Sequence, residues 1–327
     1  MIHRRRVTAI ATLACVALLT ACNPATSDSE NTTSGASSSA EATNAAAEPI
    51  TFTGDDGAEI TVDNPQKIFA LEDSVIEIAD ALGVADRIAF IPKSSDVPEL
   101  APKAEGVNTA GKGSLTVEGV IALNPDLVVA TNRRHEEIVK GLQAAGIPAT
   151  LIDRDQHPAD IVANVATVFG VKSDGEAMAK DIRASFDRIS AAVADVPEAD
   201  RQRVLVVSTS GAGGNISGGG TQTPADFIIK AAGGINAGAE AGIKRFSALT
   251  PEGVAAAQPD LIVVADTELE GLGGEEGIWE KVPGLAATPA AASKSLLVLP
   301  NSAIRIGGLS AVDGAAALAE TMYPDAF

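Results

Sequence analysis

The sequence predicts an α/β protein in which two similar lobes, each with a mostly parallel central sheet, are joined by one long helix. Three observations support this fold class: short apolar runs alternate with helix-like stretches, one segment recurs in the second half, and an uninterrupted helical pattern lies between the halves. Alternating strands and helices are typical of parallel βαβ units. A chain of 327 residues is long enough for two such lobes.

The first lobe is expected to begin with a hairpin and to continue as alternating strands and helices. Residues 50–62 read ITFTGDDGAEITV, in which Asp-Asp-Gly predicts the turn. Apolar runs predict strands at 68–71, 89–91, 126–130 and 149–152. The stretches between them predict helices at 75–82, 116–123 and 136–145.

An internal repeat is the most specific signal. Residues 115–129 read LTVEGVIALNPDLVV and residues 249–263 read LTPEGVAAAQPDLIV, with ten of fifteen positions identical. Each copy predicts a helix capped by threonine, a tight turn and a buried strand. Residues 174–196 form one helical pattern, about 30–35 Å long at 1.5 Å per residue. The predicted organisation is an N-terminal lobe at 50–171, a linker helix at 172–202 and a C-terminal lobe at 203–327.

The first residues predict export and lipid attachment. Three arginines precede an apolar run that is too short to span a bilayer, and the run ends at Leu-Thr-Ala-Cys22, which resembles a bacterial lipobox. We predict a signal peptide at 1–21, and at 22–49 a lipidated Cys22 followed by a disordered tether, because this segment is small and polar. The chain would then be anchored to the outer face of the bacterial cytoplasmic membrane. An ordinary signal peptide with an incidental cysteine is the alternative.

The composition excludes several classes of function. A net charge of −19 argues against nucleic-acid binding, which needs clustered lysine and arginine, and two cysteines exclude a disulfide scaffold. The G-x-x-x-x-G-K match at 106–112 lacks the following Ser or Thr of a P-loop, and the glycine-rich stretch 208–220 has no G-x-G-x-x-G spacing. We predict a binding protein rather than an enzyme. A cleft enzyme that uses the glycine-rich loop is the alternative from another class.

These features resemble the class III substrate-binding proteins of ABC importers, which carry siderophores, cobalamin or haem. The resemblance covers about residues 50–327 and rests on the hairpin, SVIEI after the first strand, the two repeat copies and the linker helix. The chain looks closest to the HmuT-type haem-binding lipoproteins in TPAD at 223–226, AGGIN at 232–236, GIK at 242–244, LGGEEG at 272–277 and PGLAATP at 283–289. The resemblance implies a monomer that carries haem to an ABC permease and has no catalytic cofactor.

Candidate ligand-binding residues follow a strand of the first lobe. His135 lies beyond the strand ending at 130, next to Arg133 and Arg134, and open α/β sheets bind ligands beyond the carboxyl ends of their strands. His135 is the candidate axial ligand to haem iron, with Arg133 and Arg134 near the propionates. An ordinary residue at a helix start is the alternative reading of His135. His157, which also follows a strand, is its rival.

The second lobe and the first helix supply the other candidates. Haem-binding relatives typically have a tyrosine where Ile243 stands, followed two residues later by an arginine, here Arg245. Because isoleucine cannot coordinate iron, we expect Ile243 to offer an apolar wall. Lys244 and Arg245 can pair with ligand carboxylates or simply form a solvated basic pair. Ser74 completes the predicted set, and a ferric siderophore or cobalamin is the alternative ligand.

Glu118 and Glu252 occupy the same position in the two repeat copies. A glutamate in the first turn of a helix is favourable to the helix dipole, which by itself accounts for both residues. In the family that the chain resembles, one acidic residue on each lobe docks onto arginines of the permease. The resemblance therefore implies that Glu118 and Glu252 are the docking residues.

The lipid anchor can be tested by replacing the lipobox cysteine. The variant Cys22→Ala should appear in the medium or periplasm with its ligand binding intact, because no other apolar segment of about 20 residues is present to hold the chain in a bilayer. Membrane fractionation measures the result. A variant that stays in the membrane fraction would place the anchor elsewhere.

Overall fold

The structure is a computed structural model that describes residues 49–109, 114–131, 134–209 and 215–327. The predicted signal peptide, Cys22 and nearly all of the predicted tether lie outside these residues, as does Arg133. Parts of the P-loop-like segment and of the glycine-rich stretch also lie outside them.

The N-terminal lobe is built around a wholly parallel sheet. Its strands, in chain order, are β1 (Ile50–Thr53), β2 (Glu59–Val62), β3 (Ile68–Ala70), β4 (Ile88–Pro92), β5 (Glu105–Val107), β6 (Leu127–Thr131) and β7 (Ala149–Ile152). Its helices are α1 (Asp73–Ala81), α2 (Val117–Leu123), α3 (Glu136–Ala144) and α4 (Pro158–Val168). The strands β1 and β2 form the predicted hairpin, and the other five form a parallel sheet in the order β5-β4-β3-β6-β7.

The C-terminal lobe follows the linker helix α5 (Lys172–Ala192) and contains a mixed sheet. Its strands are β8 (Arg203–Ser208), β9 (Ser217–Gly219), β10 (Ile235–Asn236), β11 (Phe246–Ala248), β12 (Leu261–Ala265) and β13 (Leu296–Leu299). Its helices are α6 (Pro224–Ala231), α7 (Ala237–Glu240), α8 (Pro251–Ala257), α9 (Asp266–Leu269), α10 (Gly274–Lys281), α11 (Pro289–Ser293) and α12 (Ala311–Met322). The strands β8, β12 and β13 are parallel, whereas β9 and β11 run antiparallel to their neighbours. The predicted α/β fold class is confirmed.

The two repeat copies fold into the same cap, helix and turn. Thr116 and Thr250 each accept a hydrogen bond from the amide three residues on, at 3.0 and 3.1 Å, and so cap α2 and α8. Both helices end at a residue in the left-handed conformation, Asn124 with φ 50° and Gln258 with φ 42°. The sequence repeat is therefore also a repeat of local structure.

An aspartate in each copy connects it to the first strand of its sheet. Asp126 Oδ2 accepts from the amide of Lys67 at 2.8 Å, and Asp260 Oδ2 accepts from the amide of Arg203 at 2.9 Å. The side chains of Lys67 and Arg203 donate in turn to the final carbonyls of α2 and α8, at 2.7 and 2.8 Å. Because these hydrogen bonds recur in both lobes, the helices take equivalent places beside β3 and β8.

The linker helix α5 contacts both lobes. Its buried face consists of Gly175, Ala179, Ile182, Phe186 and Ile189, a spacing of three or four residues that is typical of an amphipathic helix. This helix packs on α4 of the first lobe and on α6 and α12 of the second. A Cβ on Gly175 would lie 2.0 Å from the Cβ of Ala166, so glycine permits the close approach to α4.

A buried carboxylate of the first lobe caps a helix of the second. Glu77 on α1 accepts from the amides of Leu309 and Ser310 at 2.8 and 3.3 Å and from the Ser310 hydroxyl. These groups lie at the start of α12, where orphan amides and the helix dipole favour an anion. Burial raises the pKa of Glu77, and the hydrogen bonds from Ser310 and Leu309 oppose this shift. The contact fixes the position of one lobe against the other.

His157 lies where the two lobes meet the linker helix. Its Nδ1 accepts from the amide two residues on, at 3.1 Å, and so caps α4. Its ring packs edge-to-face on Phe186 of α5 and Phe227 of α6, with centroids 5.2 and 5.1 Å away. Burial lowers the pKa of His157, and the nearby Arg183 adds to this effect. The predicted rival to His135 thus has a structural role at the lobe junction.

The change His157→Asn keeps a cap acceptor but removes the titratable ring. A histidine whose pKa is lowered on folding contributes stability above its unfolded pKa of 6.5, and this stability is lost as the pH falls through the folded value. The free energy of unfolding of the native protein should therefore decrease as the pH is lowered from about 7 to about 5. In the variant it should decrease less steeply. Urea unfolding at several pH values measures the two slopes. An equal pH dependence of the free energy of unfolding in the native protein and in the variant would contradict a lowered pKa of His157.

Candidate ligand-binding site

A cleft of about 420 Å³ opens between the lobes. Its lining comes from both lobes: Thr131, Arg134, Arg154 and Asp155 from the first, and Gln222, Thr223, Pro224, Arg245, Phe246 and Arg305 from the second. Several of these residues follow the carboxyl ends of β6, β7 and β13, where open α/β sheets bind ligands.

Two arginines of the cleft are each paired with a buried glutamate. Arg154 Nη1 lies 3.3 Å from Glu72 Oε2, and Arg305 Nη1 lies 2.8 Å from Glu268 Oε1. The glutamate side chains are 10% and 8% exposed, so each pair is largely withdrawn from water. Arg154 Nη2 also crosses to the second lobe, where it donates to the carbonyls of Arg305 and Ile306 at 3.4 and 3.3 Å. These two arginines are therefore already neutralised.

The other two arginines of the cleft are available to a ligand. Arg134 comes from the loop after β6, and Arg245 comes from the segment before β11. Neither forms an ion pair within the described ranges of the chain. Among the described residues, each lobe thus presents one guanidinium without an ion-pair partner to the cleft.

The segments that carry Gln222 and Arg245 have strained backbones. Both residues are in the left-handed conformation, with φ 63° and 57°, and neither ends a helix. The segments pair through Thr221, whose amide donates to the Ile243 carbonyl at 3.0 Å and whose carbonyl accepts from the Arg245 amide at 2.7 Å. A left-handed conformation costs an L-residue about 1–2 kcal/mol, and such strain concentrates at ligand-binding sites.

His135 lines a second cavity of about 620 Å³ within the N-terminal lobe, and this cavity shares Arg134 with the cleft. The imidazole is 7% exposed, and its Nδ1 lies 3.7 Å from Glu72 Oε1. Burial lowers the pKa of His135, although the Glu72 carboxylate opposes this effect. The ring is therefore neutral at pH 7, which is the form that binds metals.

Three predicted ligand-binding residues lie outside the lining of both cavities. Ile243 is half-buried and packs against the apolar cluster of the C-terminal lobe, so it does not form the expected wall of the cleft. Lys244 is exposed beside that cluster. Ser74 is buried where α1 approaches Gly308 of the other lobe. Of the predicted set, the structure brings Arg134 and Arg245 to the cleft and His135 to the adjoining cavity.

Sequence reasoning missed several cleft residues. Arg154 and Arg305 follow β7 and β13, so the rule that ligands bind beyond strand ends offered a signal for both. Phe246 lies beneath the guanidinium of Arg305, whose Cζ is 4.7 Å from the ring centroid. Gln222 gave no signal, because its left-handed backbone depends on pairing with a distant segment. Glu72 follows β3, but in the sequence a lone glutamate at the start of a helix is sufficiently explained by its favourable interaction with the helix dipole.

The predicted docking residues are on the surface. Glu118 and Glu252 are exposed in the first turns of α2 and α8, each behind a threonine cap. Their role in docking stays a prediction.

The described residues contain no cluster of three or more His, Cys, Asp or Glu side chains able to hold a metal ion. They also contain no helix with both the length and the apolar character needed to cross a bilayer.

Residues 68–303 match the family model described as periplasmic binding protein. The chain belongs to this family. The cobalamin-binding protein of Halobacterium salinarum is 26% identical over 271 residues, which are 81% of this chain and 67% of the relative. An ABC transporter substrate-binding lipoprotein of Bacillus subtilis, YvrC, is 24% identical, and the match covers 85% of this chain and 87% of the relative.

Among solved structures, the periplasmic heme-binding protein RhuT from Roseiflexus sp. RS-1 superposes with a TM-score of 0.68 at 29% identity. The match covers 80% of this chain and 99% of that protein. The resemblance to substrate-binding proteins is therefore confirmed. Membership of this family makes the chain a binding protein rather than an enzyme, as predicted, and removes the cleft enzyme as an alternative.

Proposed function

We propose that this protein captures haem between its lobes and delivers it to an ABC importer while Cys22 anchors it to the membrane. One observation carries the choice of ligand: Arg134 and Arg245, neither of which has an ion-pair partner among the described residues, reach the cleft from opposite lobes. Haem has two propionate carboxylates, and a guanidinium binds a carboxylate through two parallel hydrogen bonds. The cleft thus matches the number and the sign of the charged groups on haem.

Cobalamin is the ligand named for one relative, and its chemistry fits the cleft less well. The corrin ring carries amides in place of free carboxylates and the molecule has a single phosphodiester, so at least one arginine would be desolvated without an ionised partner. A charged group buried without such a partner costs more than the 1–3 kcal/mol typical of an unpaired neutral group. An anionic ferric siderophore would satisfy the arginines but would not use the neutral His135 as a ligand.

His135 supplies the axial ligand in this proposal. The two cavities adjoin at Arg134, so a porphyrin held there by one propionate lies beside the imidazole. Phe246 offers an aromatic face from the second lobe. Because Ile243 packs into its own lobe, the second axial position is left to water or another side chain.

Hemin titration tests the ligand. Quenching of Trp279, the single tryptophan, reports binding independently of the axial ligand. We expect Arg134→Gln and Arg245→Gln each to weaken hemin binding about tenfold, which corresponds to about 1.4 kcal/mol. Hemin dimethyl ester, which lacks free carboxylates, should bind all variants alike.

The matched control is Lys244→Gln, which removes an exposed cation beside Arg245 that does not line the cleft. Its hemin affinity should equal that of the native protein. Tighter binding of cobalamin than of hemin, or unchanged hemin affinity in both arginine variants, would refute the proposed ligand.

The docking role of Glu118 and Glu252 is a separate part of the proposal. The double variant Glu118→Ala, Glu252→Ala should bind hemin normally but support little uptake, because each carboxylate contributes only about 0.3–1 kcal/mol to its helix. Uptake of labelled hemin by cells measures the effect. The double variant Glu275→Ala, Glu276→Ala, which alters exposed first-turn residues of α10, is the control. Normal uptake by the first double variant would exclude the docking role.

A further inference from the structure

We propose that Glu72 is the positioning residue for His135. When haem binds, the Glu72 carboxylate accepts a hydrogen bond from His135 Nδ1–H, which leaves Nε2 free for the iron and makes the imidazole a stronger donor. This inference rests on the proposed capture of haem and adds to it a residue that the sequence did not single out.

Glu72 lies at the topological switch point of the first sheet, where the order of the strands reverses. It follows the central strand β3, which has β4 on one side and β6 on the other. Ligands of open α/β sheets bind at such switch points. A side chain at this position reaches the loops after both β6 and β7, which carry His135 and Arg154.

The Glu72 carboxylate is held on two sides. Its Oε1 accepts from the hydroxyl of Thr131 at 2.9 Å, and its Oε2 accepts from Arg154 Nη1 at 3.3 Å. The same Oε1 faces His135 Nδ1 at 3.7 Å. The orientation of the carboxylate is therefore set before any ligand arrives.

His135 Nδ1 is the matching group. It is buried and has no hydrogen-bond partner in the part of the chain that the structure describes. A buried polar atom without a partner costs about 1–3 kcal/mol, so a nearby acceptor will attract it. A movement of about 0.5–1 Å brings Nδ1 within hydrogen-bond distance of Oε1. A proton on Nδ1 leaves the lone pair on Nε2.

A simple ion pair between Glu72 and a protonated His135 is the competing interpretation. Arg154 already neutralises Glu72. The pair is therefore suited to a neutral imidazole, as in metal sites where a carboxylate orients the ligand histidine.

The test is resonance Raman spectroscopy of the dithionite-reduced hemin complex, in which the iron–imidazole stretch reports the donor strength of the ligand. Glu72→Gln should lower this frequency and weaken hemin binding about ten- to a hundredfold, as expected for loss of an outer-shell partner. The control Asp80→Asn, which removes an exposed carboxylate of α1 that lines neither cavity, should leave the frequency unchanged.

A second variant keeps the shape of the site and should shift the frequency of the iron–imidazole stretch in the opposite direction. Thr131→Val removes the hydroxyl that shares Oε1, so the carboxylate becomes a stronger acceptor and the stretch should rise in frequency. An unchanged frequency in both Glu72→Gln and Thr131→Val, with hemin bound through His135, overturns the role of Glu72 and leaves the proposed function intact. Failure of the native protein to bind hemin refutes the proposed function itself. A complex whose iron–imidazole stretch survives in His135→Ala overturns the assignment of the ligand and of its positioning residue.

Discussion

The side chain of Arg154 connects the two lobes at the base of the cleft. It pairs with Glu72 of its own lobe and donates to the carbonyls of Arg305 and Ile306 in the other. Removing the arginine would leave a largely buried carboxylate without its counter-ion, a change that typically costs 3–5 kcal/mol. The geometry of the cleft depends on this interaction, because it sets how the strand ends of one lobe face those of the other.

Duplication explains the shared backbone structure of the two lobes but not the residues that face the candidate ligand site. The threonine caps, left-handed helix ends and aspartate contacts recur in both lobes. The residues free to meet a ligand do not recur. Arg134 and His135 belong to a loop of the first lobe, and Arg245 belongs to a strained segment of the second. The candidate site is therefore asymmetric.

The relatives divide between cobalamin and haem, so membership of the family does not identify the ligand. The charges that line the cleft say more about the class of its ligand than the volume of the cleft does. Of the cleft arginines that the structure describes, two are balanced by largely buried carboxylates, and two have no ion-pair partner in the described ranges. Only the unbalanced pair can add to the selection of an anionic ligand, and the proposal of haem rests on this pair.

The sequence by itself determined the α/β class, the duplication, the hairpin and the linker helix, although the helix runs over Lys172–Ala192 rather than 174–196. These features follow from apolar periods, caps and turns, which are local. The tertiary structure alone decided that Arg154 is paired while Arg134 has no ion-pair partner in the described part of the chain. It also decided that Ile243 packs into its lobe and that His157 caps a helix between Phe186 and Phe227. Each of these outcomes depends on contacts between segments far apart in the chain, and no local pattern encodes them.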